Sequence, residues 1–316
     1  MKNEVSGMSI RQPRVSFGIP VCNGEMTIRK TLDSLLAQTF SGFEVVICDN
    51  ASDDRTGRIC LDLARRDDRV RYHRHESNIG QIANFNRVFE LSSGEYFRWI
   101  GCNDWLAPEY LERCVPALDA HSSAVLVTTY QRHCDELGQW QYAEYQGPRV
   151  DSPLPHRRFA RMLRFFRLSR YYLDPIYSLI RRSALQQTGM LPMMLGTDLV
   201  LSAELSLLGP FVHVPECLSY RIHTPPAPYD QVLHRYDPRQ RSARWWFARM
   251  CRQMIRAMRS KPLPILGQGL CLLSLADYAA RHHTWSCYRH GRRFAGTLAD
   301  RTGIARVIVP RCRQVI

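Results

Sequence analysis

From Arg14 onward, short apolar segments alternate with longer segments whose apolar residues recur every three or four positions. The short segments, rich in Val, Ile, Phe and Tyr, predict strands, and the longer ones predict helices. The predicted strands are Val15–Pro20, Phe43–Cys48, Val70–His75, Glu95–Ile100 and Ala124–Tyr130. The helices predicted between them are Glu25–Gln38, Asp54–Arg66, Ile79–Leu91 and Pro108–Ala120. This alternation predicts an α/β protein with a mostly parallel sheet flanked by helices.

Beyond Tyr130 the periodicity is weaker, and Gly and Pro interrupt shorter segments. We predict a hairpin within Gln139–Pro148 and a basic amphipathic helix over His156–Arg170. The other predictions are strands at Pro175–Arg181, Phe211–Val214 and Cys217–Ile222, and helices at Asp198–Leu208, Arg241–Ser260 and Leu263–Ala280. The proline-rich segment Thr224–Pro228 fits a linker. We therefore expect a disordered segment at 1–13, a main domain at 14–225 with halves at 14–120 and 121–225, and a basic helical region at 226–316.

The formal net charge of +14 is concentrated in the C-terminal region. Residues 1–225 contain 26 Lys and Arg against 25 Asp and Glu, whereas residues 226–316 contain 17 against 4. Such a basic region favours a polyanionic partner: an anionic membrane surface, a nucleic acid or an acidic glycan.

The predicted helix at 241–260 separates its apolar residues from its arginines. Trp, Met and Ile side chains occupy one half of the helical circumference, and arginines occupy the other. A cationic amphipathic helix fits an anionic membrane surface. The alternative is a helix that packs on the main domain with a solvated arginine face. No nucleic acid is expected as a partner, because the apolar and basic residues are not interleaved and no recognised nucleic-acid motif occurs.

Polar residues follow each of the first four predicted strands. They form the segments Pro20–Gly24, Asp49–Asp54, Ser77–Gly80 and Gly101–Asp104. Each could act simply as a helix cap or a turn. In a parallel sheet, however, ligands bind beyond the carboxyl ends of the strands, where these four segments would meet. Their coincidence predicts a ligand site at this edge of the sheet.

The same segments resemble, in order, the motifs of family 2 glycosyltransferases, which have the GT-A fold. The opening Pro20–Gly24 has Cys22 where that family usually has Tyr. Further segments that resemble the family are Leu32–Phe40, Glu44–Asp54, Asn78–Gly80, Gly94–Tyr96, Asp174–Arg181, Thr197–Leu205 and Tyr220–His223. The resemblance implies a GT-A domain with a nucleotide-binding half and an acceptor half. The C-terminal helical appendage has no counterpart in it.

The resemblance also implies a divalent metal ion, Mg²⁺ or Mn²⁺, on the diphosphate of the donor. Hard cations bind carboxylate oxygen and neutralise a phosphate leaving group. Asp104 corresponds to the last acid of the family's D-x-D motif, and His223 to the histidine that often completes the metal shell. Asn103 and Cys102 stand where further ligands are usual, which lowers the charge around the metal. Asp104 as a turn cap and His223 as an ordinary loop residue are the alternatives.

For the nucleotide, the resemblance implies a contact between Asp49 and the imide N–H of the base. A carboxylate only accepts hydrogen bonds, so this contact favours uracil or thymine over adenine. Backbone groups around Pro20–Asn23 would flank the base. The nucleotide-binding residues implied beside Asp49 are Pro20, Val21, Asn23, Asn78 and Asn103.

Asp198 resembles the acid that acts as general base in the family. An inverting transfer needs one base to take the proton of the acceptor hydroxyl. Thr197 replaces the first acid of the family's acidic pair, so Asp198 would act alone. The alternative is that Asp198 only caps its helix. Glu204, six residues later, falls on another helix face and is interpreted as structural.

The function implied is an inverting glycosyltransferase that moves a sugar from a nucleotide diphosphate, with UDP favoured, to a glycan or lipid-linked acceptor in cell-surface polysaccharide or glycoconjugate synthesis. A nucleotide-sugar binding module without turnover is the alternative, because of the substitutions at 102, 103 and 197. Residues 1–14 have no apolar core typical of a secretory signal, and Leu263–Ala276 is too short to span a bilayer. We therefore expect a cytoplasmic location, with the inner face of the membrane as an alternative.

Overall fold

The computed structural model describes residues 12–134, 139–143, 148–168, 175–222 and 245–281. Its strands are β1 (Val15–Val21), β2 (Phe43–Asp49), β3 (Val70–Arg74), β4 (Tyr96–Trp99), β5 (Asp104–Leu106), β6 (Leu126–Cys134), β7 (Trp140–Ala143), β8 (Leu179–Arg181) and β9 (Phe211–Ile222). Its helices are α1 (Ile28–Leu36), α2 (Thr56–Ala64), α3 (Gln81–Glu90), α4 (Tyr110–Asp119), α5 (Pro155–Leu168), α6 (Arg182–Leu185), α7 (Thr197–Leu208), α8 (Trp246–Arg259) and α9 (265–281).

All these strands belong to one sheet, in the order β3-β2-β1-β4-β8-β6-β9-β5, with β7 paired to β6. The half formed by β3, β2, β1 and β4 is parallel throughout. In the other half β8 runs antiparallel to both neighbours, β6 and β9 are parallel, and β5 is antiparallel to β9. The α/β prediction is confirmed, and its parallel part is the half that carries the first polar segments.

The sheet is covered by helices on both faces. Every residue of β1 and β2 is buried, as expected for strands without a solvent face. One hydrophobic cluster joins β1 and β2 to α1, α2 and α4, and a second joins β4 and β8 to α3, α5 and α7. This packing holds the carboxyl ends of β1, β2 and β4 at one edge.

The helix α8 lies on α7 rather than projecting from the domain. Its buried residues Met250, Met254 and Met258 share a cluster with side chains of α5, α7 and α9. Lys261, just beyond α8, forms an ion pair of 3.1 Å with Glu204 of α7. The structural interpretation of Glu204 agrees with this contact. Of the two interpretations of 241–260, packing on the main domain describes the part that the structure resolves into α8.

Several element predictions need correction. The strands expected at Phe211–Val214 and Cys217–Ile222 are one strand, β9, which continues through two register irregularities opposite β6. The strand expected at Pro175–Arg181 begins as a 3₁₀ turn at Pro175–Tyr177. The sequence did not predict β5, which has only three residues and no periodicity to recognise.

Some predictions fall outside the described ranges. They concern residues 1–11, the whole linker at 224–228, the start of the helix at 241–260 and everything after 281. The domain boundaries at 13, 120 and 225 stay predictions. Among the described residues, no helix is both long and apolar enough to span a membrane.

Candidate active site

The loops after β1 and β2 are joined by hydrogen bonds into one rigid corner. The backbone N–H of Asn23 donates to Ser52 Oγ at 2.9 Å, and that of Gly24 donates to Thr56 Oγ1 at 2.8 Å. Asn23 has a φ of 54°, which turns its side chain so that Oδ1 accepts from the N–H of Asp53 at 3.0 Å. Asn23 therefore lies at the sheet edge, with its side-chain oxygen occupied by the neighbouring loop.

Asn78 closes the same corner from the side of β3. Its Oδ1 accepts from Asn50 Nδ2 at 2.8 Å and from the N–H of Gly80 at 2.9 Å. Pro20 and Val21 are buried in β1, and the carbonyl of Val21 accepts from the N–H of Asn50 at 2.8 Å. These three predicted nucleotide residues are thus brought to the same edge. The contacts that the structure gives them order the loops.

Asp49, the last residue of β2, is buried and well supplied with donors. Its Oδ1 accepts from the N–H of Ser52 at 2.9 Å, and its Oδ2 accepts from the Tyr72 hydroxyl at 2.6 Å and from Arg74 Nη1 at 2.9 Å. Burial alone would raise the pKa of Asp49, but these hydrogen bonds and the charge of Arg74 outweigh it and lower the pKa. Asp49 is therefore an ionised carboxylate, with most of its acceptor positions occupied by the protein.

Asp104, the first residue of β5, is also buried, but its surroundings differ from those of Asp49. It forms an ion pair with Arg221 of β9, at 3.4 Å between Nε and Oδ2, and the two residues face each other in the β5–β9 register. Burial raises the pKa of Asp104, and the charges of Arg221 and Arg98 oppose this only in part. The carboxyl group is therefore poised to gain from a further cation.

A gap beside Asp104 is kept open by Gly101. A Cβ atom at Gly101 would lie 3.0 Å from Asp104 Oδ2 and 3.0 Å from Asn103 Oδ1. Both oxygens thus border the same small space, and the amide of Asn103 is held by its Nδ2, which donates to the carbonyl of Ile222 at 3.0 Å. One carboxylate oxygen and one amide oxygen suit a hard cation.

Asp198 lies in the first turn of α7. Burial raises its pKa, while backbone N–H groups at this helix start and the charge of Arg221 lower it. Arg221 therefore acts on the carboxyls of both Asp104 and Asp198. The convergence of Asp104 and Asp198 on one cleft stays a prediction, and the direct contact of Arg221 is with Asp104.

Asp49 lies on the other side of the β1 loop. A Cβ at Gly24 of that loop would lie 3.2 Å from Cys102 Sγ, next to the Asp104 turn. The pKa of the buried Cys60 thiol is raised to about 12, mainly by burial and further by the charges of Asp49 and Cys102. The β1 loop thus lies between Asp49 and the turn that carries Asp104.

The metal shell is described only in part. His223 lies outside the described residues. Within the described ranges no cluster of three or more His, Cys, Asp and Glu residues could hold a metal ion. The oxygens of Asp104 and Asn103 around the Gly101 gap are the donors that fit one.

Sequence reasoning did not assign roles to Arg221, Arg74 or Tyr72. Arg221 belongs to the Tyr220–His223 segment, so its position in a motif was a usable signal. Arg74 and Tyr72 alternate along β3, which places both side chains on one face, the face of Asp49. That alternation was visible, but the pairing of β3 with β2 was needed to give it meaning.

Comparison with protein families gives one match. The family described as "Glycosyl transferase family 2" matches residues 16–189, which is more than half of the chain. Glycosyltransferase GlyA of Streptococcus pneumoniae is 28% identical over 129 residues, 41% of this chain and 18% of GlyA. Chondroitin synthase of Escherichia coli is 32% identical over 138 residues, 44% of this chain and 20% of the synthase.

These curated relatives are longer than the matched region. The chain spans less than half of the length of the first three relatives that it matches. Among solved structures, S. aureus TarS 1-349 in complex with UDP-GlcNAc superposes with a TM-score of 0.64 at 19% identity, covering 86% of this chain and 73% of the TarS 1-349 chain. At that identity the likeness shows the fold alone, and it confirms the predicted GT-A architecture.

Proposed function

This chain belongs to glycosyl transferase family 2, and on that premise we propose that it transfers a sugar, with inversion, from a UDP-sugar to an acceptor hydroxyl. The observation that supports the proposal is the pair of acids Asp104 and Asp198: burial raises the pKa of each, and the charge of Arg221, which forms an ion pair with Asp104, opposes the rise at both. Asp104 would serve the diphosphate and Asp198 the incoming hydroxyl.

Asp198 is proposed as the general base. Burial raises the pKa of Asp198, which makes its carboxylate a stronger base than an ordinary aspartate. It would take the proton of the acceptor hydroxyl as that oxygen forms a bond to the anomeric carbon. The bond between this carbon and the phosphate oxygen breaks, and UDP leaves with the electron pair. One such displacement inverts the anomeric centre.

Asp104, Asn103 and His223 are proposed to hold Mg²⁺ or Mn²⁺. When bound, the ion would neutralise charge on the diphosphate leaving group. The Gly101 gap between the two oxygens supports this assignment. Arg221 now holds Asp104 and would share that carboxylate with the ion.

Asp49 is proposed to recognise the base. A carboxylate has about four acceptor positions, and Ser52, Tyr72 and Arg74 use three of them. The side chain of Arg74 is 47% exposed, so it can yield its place to a base imide N–H. Pro20, Val21, Asn23 and Asn78 would line the base and ribose through the loops that they order.

The acceptor is proposed to be a glycan or a lipid-linked sugar, in cell-surface polysaccharide or glycoconjugate synthesis. Two relatives motivate this: one is named as a synthase of the glycan chondroitin, and TarS 1-349 was solved in complex with UDP-GlcNAc. We propose a cytoplasmic location, with peripheral contact at the inner face of the membrane.

A thermal-shift panel tests the donor assignment. UDP, GDP and ADP would each be added at equal concentration, with Mn²⁺ and with a chelator. Binding raises the Tm by mass action, so UDP with Mn²⁺ should give the largest rise. Equal Tm shifts for all three nucleotides, or Tm shifts that are the same with Mn²⁺ and with the chelator, would contradict the proposal. UDP binding without UDP release from any UDP-sugar would instead favour the module without turnover.

A further inference from the structure

The helix α9 exposes apolar side chains along its length. At about 100° per residue, Ile265, Leu266, Leu272, Leu273 and Ala276 fall on one side of the helix. All are exposed, with Ile265 at 91% and Leu273 at 68%. We call these five residues the α9 apolar face. Isolated exposed leucines are common on proteins, but a continuous apolar helix face indicates a binding surface.

The opposite side of α9 is already buried. Cys271 and Leu275 pack in the cluster that contains Met250 and Met254 of α8, and Tyr278 stacks on Phe247 at 6.1 Å between ring centroids. The α9 apolar face therefore cannot be explained as the side by which the helix attaches to the domain. It is a second apolar side, turned outward.

Basic side chains border this face. A groove of about 460 Å³ between α5 and α9 is lined by Arg164, Arg167 and Arg281, and also by Leu273 of the α9 apolar face. Arg164 and Arg167 are exposed and have no ion-pair partner among the described residues. Asp277, which pairs with Arg281 at 2.7 Å, is the one acid in the groove lining. The rim is thus positively charged.

We propose that the α9 apolar face docks on an anionic phospholipid bilayer, with Arg164 and Arg167 on the headgroup phosphates. Apolar residues flanked by arginines match the two layers of such a surface, acyl chains below and anionic headgroups above. The site differs from the one expected at 241–260, because the apolar side of α8 is buried against the domain. The inference does not depend on the donor assignment and would bring a lipid-linked acceptor near the protein.

Vesicle flotation with the full chain tests the proposal. Vesicles of phosphatidylcholine alone and of phosphatidylcholine with phosphatidylglycerol would be compared. We expect binding to the anionic vesicles, weakened at least about tenfold in Leu272→Ser/Leu273→Ser, because the variant lacks two leucine side chains that would be buried in the bilayer. Arg164→Gln/Arg167→Gln should weaken binding by about fivefold or more and reduce its sensitivity to salt.

The matched control is Leu61→Ser/Arg66→Gln, which removes an exposed leucine and an exposed arginine at α2, away from α9. It should bind vesicles as the wild type does. The proposal is overturned if the wild-type protein does not bind anionic vesicles, or if the leucine variant binds them as well as the wild type does. A wild-type dimer in light scattering that the leucine variant abolishes also overturns it, because a second copy would then occupy the face. UDP thermal shifts in the same variants separate this result from failure of the donor assignment.

Discussion

The protein holds the acid Asp49 in one way and the acids Asp104 and Asp198 in another. Asp49 accepts three hydrogen bonds and has a lowered pKa. Asp104 and Asp198 share the charge of Arg221, and the pKa of each is raised by burial. All three acids are desolvated, so burial alone does not separate them. The difference lies in how many donors the protein itself provides.

This difference distinguishes an acid that stabilises the loops from acids that can take part in a reaction. An acid whose acceptor positions are nearly filled by the protein stabilises the fold and offers little to a reaction. Acids that are buried with too few partners cost stability and gain from a ligand cation or a proton. The comparison therefore supports the proposed roles of Asp104 in metal binding and of Asp198 in proton transfer, whereas Asp49 would order the loops and contact the base.

The largest expected effect is the loss of turnover when Asp198 is replaced. Asp198→Asn should lower kcat by about 10²–10⁴-fold, because the amide cannot take the proton. UDP binding should stay within about twofold, since the donor side is untouched. UDP release from the preferred UDP-sugar measures kcat, and calorimetry measures binding. In the wild type the acid limb of kcat should lie above the ordinary aspartate pKa. A variant with wild-type kcat would leave Asp198 as a helix cap only.

Stability should respond most at Asp49. Asp49→Asn should lower the free energy of unfolding at pH 7 by about 2–3 kcal/mol, because charge-assisted hydrogen bonds are lost. The folded pKa of Asp49 is lowered, so its stabilisation is present above the unfolded pKa and disappears as the pH falls through the folded pKa. Urea unfolding at pH 7 and at a series of acidic pH values measures both. A difference between wild type and variant that does not shrink as the pH falls through the acidic range would contradict the assigned charge.

The Gly101 gap can be closed without changing any charge. Gly101→Ala would press its Cβ against the oxygens of Asn103 and Asp104. We expect Mn²⁺-dependent UDP binding to weaken roughly tenfold, about 1.4 kcal/mol. Gly269→Ala is the matched control, because a Cβ there meets no atom within 4 Å. Equal UDP affinities in both variants would mean that the gap holds no ion.

The smallest expected effect sharpens the account of Asp49. Tyr72→Phe removes the hydroxyl that donates to Asp49 Oδ2 at 2.6 Å and leaves the ring in place. The free energy of unfolding should fall by about 1 kcal/mol, less than for Asp49→Asn, because two of the three donors remain. Urea unfolding of both variants side by side checks the order. The reverse order would mean that Asp49 is stabilised mainly by other groups.

The parallel half of the fold was predictable because its signals are local. Short buried strands and amphipathic helices repeat from 14 to 120, and their order is enough to place polar loops at one edge. The expectation at Asp49, Asn78 and Asn23 follows from this order. What the sequence could not provide is that Arg74 and Tyr72 fill the acceptor positions of Asp49. That depends on the register between β2 and β3.

The second half was harder because its pairings connect distant segments. β5 has three residues and is defined by β9, more than 100 positions later. The same pairing sets Arg221 against Asp104, so the shared arginine could not be seen before the strands were paired. The amphipathic pattern of 241–260 agrees with the helix α8, but the pattern alone does not distinguish a helix that binds a membrane from one that packs on α7. The packing of α8 in the structure makes this distinction.

The most direct test of the account is UDP titration into Asp104→Asn and Asp198→Asn by calorimetry, with Mn²⁺ and with chelator. We predict that Asp198→Asn keeps Mn²⁺-dependent UDP binding and that Asp104→Asn loses it by at least about tenfold. The pair is well matched, because each variant replaces one desolvated acid near Arg221 by its amide. Mn²⁺-dependent binding that survives in Asp104→Asn, or is lost equally in both, would contradict the division of roles between the two acids.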